Sequence, residues 1–147
     1  MKNIYLDNNA TTQVAPEVVD AMLPFFRDLW GNPSSMHYFG GQVARHVERA
    51  REQVASFIGA DPSEIVFTSC GTESDNMAIY GAVEAGPRNV RILTSRVEHL
   101  AVLSACRHFQ SHDYEVVEIG VDHKGQLDLQ RLEEELDKGP AVVSVMW

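Results

Sequence analysis

Ile65-Val66-Phe67-Thr68-Ser69-Cys70-Gly71-Thr72-Glu73-Ser74-Asp75-Asn76 passes from a short apolar run through small polar residues into a helix-forming stretch. The triplet Ile65–Phe67 suits a strand buried on both faces, and the residues beyond the turn predict a helix from about 74 to 84, closed by Gly86-Pro87. A strand that feeds a helix in this way aims the helix's first free N–H groups, and the positive end of its dipole, past the sheet edge. That favours an anion. Gly71 permits close backbone approach, while the Thr72 hydroxyl either caps the helix, with Asp75 completing a Thr-x-x-Asp box, or hydrogen-bonds the anion. Spacing alone leaves both readings open, because ordinary capping uses the same residue types. The turn is not a P-loop, which needs a second glycine followed by lysine and Ser or Thr.

Working outward, the apolar pattern alternates between strand and helix. Before the turn, an extended start at Ile4–Leu6 leads to a helix opened by Pro16, which Pro24 is expected to kink or end early. Residues 31–35, Gly-Asn-Pro-Ser-Ser, read as a loop, and an amphipathic helix follows over 42–58, stopped by Gly59. After the turn, strands are expected at 90–94, 115–119 and 141–146, with helices at about 98–110 and 128–138 between them. Strands separated by helices of this length imply βαβ units around a largely parallel sheet flanked by helices, an α/β fold. Such sheets hold ligands beyond the carboxyl ends of their strands.

The totals limit the function classes. The 147 residues fit one domain or part of one, and no internal repeat or linker divides them. Twelve Lys and Arg against 21 Asp and Glu give a formal charge of -9, with no basic block to match a nucleic-acid backbone. The N-terminus lacks the apolar core of a signal peptide, and no apolar run is long enough to span a membrane, so a cytoplasmic protein with no nucleic-acid or membrane partner is expected. Cys70 and Cys106 form no Cys-x-x-Cys pair and so supply no zinc framework.

Individual side chains divide by position. Cys70 beside a helix start has a setting that can lower a thiol pKa, yet no partner pattern of a known thiol enzyme accompanies it. Cys106 shares an apolar face with Val102, Ala105 and Phe109 and reads as buried and inert. His108 and His112 could share a helix face, but their neighbours suggest a solvated last turn, and no metal site is expected. His99 falls where a strand's end runs into the next helix, placing an imidazole at the same edge as Gly71-Thr72. Lys124 lies in a turn before a helix capped by Asp128, and Glu133–Glu135 read as the wet face of that helix opposite Leu129, Leu132 and Leu136.

Several stretches coincide in order with one family: Tyr5-Leu6-Asp7-Asn8-Asn9-Ala10-Thr11-Thr12, Gly31-Asn32-Pro33-Ser34-Ser35 with His37, Phe67 to Ser74, Glu98-His99 with Ala101-Val102-Leu103, and 142–147. Together they resemble the N-terminal part of a pyridoxal-phosphate cysteine desulfurase, a relative of the class V aminotransferases with the fold-type I architecture. The wording around Cys70 is closer to the nitrogen-fixation type than to the housekeeping type, which tends to carry another residue there.

The resemblance implies that Gly71 and Thr72 bind the phosphate of pyridoxal 5'-phosphate and that His99 stacks on its ring and exchanges protons. Asn32, Ser34 and Ser35 would line the site mouth or a dimer contact. The implied reaction converts L-cysteine to L-alanine and leaves a persulfide, whose sulfur passes to an iron-sulfur scaffold protein, in a homodimeric enzyme. Residues 1–147 would be an N-terminal segment plus an incomplete large domain. The Schiff-base lysine and the nucleophilic cysteine have no counterpart in them: Lys124 is no substitute, because Val121 stands where the lysine motif needs Ser. The chain alone is therefore expected to be inactive. Two other readings are an interaction fragment that pairs with a full-length subunit, and an unrelated phosphate-binding α/β module.

Overall fold

The computed structural model describes residues 3–146, which fall into two compact units divided between Val66 and Phe67. Trp147, the end of the 142–147 stretch that carries part of the resemblance, lies outside the described residues.

The first unit is helical. Pro16 occupies the first turn of α1 (Pro16–Arg27), where its missing N–H costs nothing, and Glu17 and Arg27 complement the dipole at the two ends. Pro24 does not end this helix, which continues for three more residues before the Asp28 N–H closes onto the Pro24 carbonyl at 2.8 Å.

The second helix, α2 (Tyr38–Ile58), starts a full turn earlier than expected. His37 caps it, Nδ1 accepting the Gly40 N–H at 3.4 Å, and Gly59 closes it in the left-handed conformation at φ 72°. Gly40 allows the early start to coexist with the 31–35 loop: a Cβ there would lie 2.4 Å from the Asn32 carbonyl oxygen and 2.5 Å from that of Ser35. The loop thus rests on bare backbone in the first turn of α2. It is tightened by the Ser34 N–H on Oδ1 of Asn32 at 2.9 Å and the Ser35 N–H on the Asn32 carbonyl at 3.0 Å. Ile65–Phe67, expected as a strand, takes no place in the sheet. The carbonyl of Ile65 accepts instead from the guanidinium of Arg51, so a side chain replaces a ladder partner.

The second unit is the α/β part. Helix α3 (Gly71–Ala85) leads into β1 (Arg91–Ser95), and α4 (Leu100–Gln110), β2 (Val116–Ile119), α5 (Leu129–Leu136) and β3 (Ala141–Ser144) follow. The strands form a parallel sheet ordered β2-β1-β3, with Ile92 opposite both Val116 and Val142. This is the expected architecture of a parallel sheet flanked by helices. The central strand β1 is buried along its whole length, Ile92 and Leu93 followed by Thr94 and Ser95, with Arg91 buried at its start. Ile92 joins Ile79 and Val83 of α3 and Val102, Ala105, Cys106 and Phe109 of α4 in one core, so the inert, buried reading of Cys106 holds. Burial pushes the Cys106 thiol pKa up, partly offset by the Thr94 hydroxyl.

One expectation about α5 fails. Glu135 is buried, only 1% exposed, while Leu129 and Leu136 lie largely in solvent at 65% and 43%. The carboxylate belongs inside because cations surround it: Arg91 at 2.9 Å, Lys138 at 2.8 Å and Arg131 one turn away. The turn before α5 is as expected, with Asp122 Oδ1 accepting from the Lys124 and Gln126 N–H groups and Asp128 capping the helix through the Arg131 N–H at 3.0 Å.

Candidate functional site

The site begins at the N-terminus of α3. Cys70, in extended conformation at φ -166° and ψ 170°, is the N-cap residue, which makes Gly71 and Thr72 the first two helical residues. This corrects the capping alternative: Thr72 lies inside the first turn and forms no box with Asp75. The reaching-back role falls to Glu73, whose Oε2 accepts from the Ser69 N–H at 2.5 Å and the Ser69 hydroxyl at 2.7 Å. Thr68 ties the approach to the helix through its hydroxyl on Ser74 Oγ at 2.6 Å and on the Cys70 carbonyl at 3.2 Å. These contacts hold the Glu73 carboxylate, and its pKa below the usual range, against Ser69.

The donors left at this end suit a dianionic phosphate. The first-turn N–H groups have no helical carbonyl to bond, the Thr72 hydroxyl is exposed, and a Cβ added to Gly71 would meet nothing within 4 Å. The cradle is open where an anion would approach. Cys70 is exposed beside it, and the N–H groups of Glu73 and Thr72 with the Ser69 hydroxyl hold its thiol below the ordinary pKa, the Glu73 N–H most of all.

His99 enters from the neighbouring element. It is the N-cap of α4, with Nδ1 accepting the Ala101 N–H at 3.2 Å, and its ring is exposed. Helices α3 and α4 run side by side in the same direction, since Tyr80, late in α3, packs its ring against His108 and Phe109 at the end of α4, with centroids 5.3 and 4.6 Å apart. Their opposite ends, carrying Gly71-Thr72 and His99, therefore share the edge of the sheet to which β1 points. The three residues singled out from this part of the sequence thus lie towards one edge of the sheet. Asn32, Ser34 and Ser35 belong to the first unit, on the loop over Gly40.

Sequence reasoning missed two groups at this edge. Ser95 Oγ and Glu98 Oε1 are buried without a hydrogen-bond partner among the described residues. Glu98 directly precedes His99 in a segment otherwise read only for its imidazole, and burial of a charged residue in the loop between β1 and α4 leaves no periodic signal. His108 and His112 stand with ring centroids 4.3 Å apart, but no group of three His, Cys, Asp or Glu gathers among the described residues. No helix among them is long and apolar enough to cross a membrane.

Residues 4–147 match the family model described as Aminotransferase class-V, and the chain belongs to that family. Its relatives within it are cysteine desulfurases of the NifS type. The chain is 54% identical over 147 residues to the cysteine desulfurase of Trichormus azollae and 52% identical over 148 residues to the cysteine desulfurase NifS of Azotobacter vinelandii. In both cases all of this chain is covered and 37% of the relative, so the chain spans little more than a third of their length. Among solved structures, a NifS-like protein matches at TM-score 0.87 and 38% identity over 99% of this chain and 40% of its own. A structure titled SspA in complex with cysteine matches at 0.84 and 33%, over 96% of this chain and 41% of its own.

Proposed function

We propose that the chain supplies the phosphate cradle and the ring-facing imidazole of a pyridoxal-phosphate cysteine desulfurase of the nitrogen-fixation type. The observation that supports this reading is the shared edge of two helix N-termini, one opening with Gly71 and Thr72 and the other capped by His99. In this reading the Gly71 and Thr72 N–H groups and the Thr72 hydroxyl hold the phosphate oxygens, and His99 stacks on the pyridine ring and fixes its plane. When bound, pyridoxal phosphate supplies an electron sink for carbanion chemistry at the substrate. The substrate is L-cysteine, the products are L-alanine and an enzyme persulfide, and the sulfur goes to an iron-sulfur scaffold protein in the cytoplasm.

Residues 1–147 are an N-terminal segment and an incomplete cofactor domain of a homodimeric enzyme. The lysine and cysteine that complete the reaction are contributed by further sequence. The 147-residue chain releases no sulfide on its own.

Titration of the chain with pyridoxal phosphate and with pyridoxal, which lacks the phosphate, tests the cradle. The phosphate form is expected to bind more tightly, and Thr72→Ala to weaken it by about tenfold to a hundredfold, the worth of one hydrogen bond to a charged group. Equal affinity for the two forms in the parent chain overturns the reading.

A further inference from the structure

An N-cap has one task, to accept an N–H from the first turn, and Asn, Asp, Ser and Thr do it best. Residue 99 is a histidine instead, and it performs the task with Nδ1, which lies 3.2 Å from the Ala101 nitrogen. The direction of that bond is not a matter of choice. A backbone N–H can only donate, so Nδ1 presents its lone pair and carries no hydrogen. A neutral imidazole has one N–H, and here it can reside only on Nε2.

We infer that the helix cap locks His99 in the Nε2–H tautomer, so that the ring enters the candidate site as a donor of fixed position with Nε2 as its only proton-carrying atom. Nε2 makes no hydrogen bond among the described residues, and the ring is exposed at the sheet edge. The cap settles three things together. It fixes the ring's orientation by tying one nitrogen to α4, assigns the proton to the other nitrogen, and makes any proton gained at Nδ1 incompatible with the bond to Ala101. While α4 stays capped the ring therefore gains no proton, since the Nδ1 lone pair is engaged and the pyrrole-type Nε2 has none, and it acts through its Nε2 proton as a hydrogen-bond donor. The chemical use of that proton rests on the reading of His99 as the ring-facing residue; the tautomer itself does not.

The test uses the full chain without cofactor. Two-bond proton–nitrogen correlation of the imidazoles, recorded well above the ordinary histidine pKa of about 6.5, distinguishes the tautomers, and loss of one signal set in His99→Asn assigns residue 99. A pyrrole-type Nε2 paired with a pyridine-type Nδ1 is expected. An Nδ1–H pattern, or shifts averaged between the two tautomers, overturns the inference.

A second measurement stands apart from the spectrum. His99→Asn, which retains a capping acceptor, is expected to melt no lower than the parent, and His99→Phe, which retains only a ring, to melt lower. Equal melting of all three removes the cap and the lock with it. Because none of these readouts involves pyridoxal phosphate, a locked tautomer in a chain that binds the phosphate and phosphate-free forms equally sinks the functional reading alone.

Discussion

Nη1 of Arg91, in the central strand, lies 2.9 Å from the Glu135 carboxylate of α5, and the Arg91 guanidinium also reaches the Glu135 carbonyl. Both side chains are almost wholly out of solvent. Removing one member of a buried pair leaves an uncompensated charge, whereas removing both with apolar replacements of similar size can be neutral or better. Arg91→Met and Glu135→Leu are each expected to lower the melting temperature by several degrees, and the double variant to recover most of that loss. Strict additivity of the two single effects would show that the residues are not coupled.

The same carboxylate gives a pH dependence. Lys138, then Arg91, hold the Glu135 pKa below its ordinary value. A depressed carboxylate contributes stability that is complete above the unfolded value, about 4.3 for glutamate, and lost as pH falls through the lower folded value. Denaturation midpoints of the parent should therefore drop below about pH 4.3 by more than those of Glu135→Gln. Parallel acid limbs for the two proteins would rule out this contribution.

Two adjacent glycines in α2 should respond with opposite signs. Alanine is favoured over glycine in a helix interior by about 1 kcal/mol, and a Cβ at Gly41 meets nothing within 4 Å. Gly41→Ala is expected to stabilise by about 0.5–1 kcal/mol. At Gly40 the Cβ would overlap the Asn32 and Ser35 carbonyl oxygens. Overpacking of about 1–3 kcal/mol there offsets the propensity gain and displaces the 31–35 loop. Chemical denaturation of both variants decides the matter, and a Gly40→Ala protein as stable as Gly41→Ala would contradict the close approach.

These residues show why the sequence was readable in some places and opaque in others. The sheet was legible because each of β1 to β3 carries adjacent β-branched or aliphatic residues and helices separate them, and their observed limits fall close to those expected. The expected start of α2 at 42 follows the apolar stripe that begins at Val43, which Tyr38–Gly41 do not extend, whereas Gly40 is demanded by loop 31–35 crossing it, a contact between segments. Glu135 was misplaced because its cation partner Arg91 lies 44 residues away. At the site, Gly71, Thr72 and His99 stood out by position and by resemblance. The capping detail did not, since Thr-x-x-Asp and the observed bond of Glu73 to Ser69 are indistinguishable as letter patterns.

The two thiols should separate by chemistry. Cys70 is exposed, with a lowered pKa, and Cys106 is buried in the core, with a raised one. Because the thiolate is the reacting species, iodoacetamide should modify Cys70 first, with a rate midpoint below the free-thiol value of about 8.5. Cys106 should react only in denaturant. Peptide mapping after brief alkylation of the native chain reads this directly, and faster labelling of Cys106 would refute the placement of both.

Gly71 offers the sharpest separation of fold from site. At the first position of α3 its φ is not in the left-handed range, so the fold itself does not require glycine there. A methyl group would project into open space and reduce the freedom of the unfolded chain. On stability alone Gly71→Ala should gain about 0.4–1 kcal/mol. If an anion seats on the first-turn N–H groups, that methyl stands in its approach, and binding of pyridoxal phosphate should weaken while the melting temperature holds or rises. Opposed changes of this kind locate the phosphate at the helix terminus, because a merely structural glycine would lose stability and binding together. Undiminished phosphate binding in Gly71→Ala would remove the backbone of residue 71 from the cradle and leave Thr72 to act through its hydroxyl.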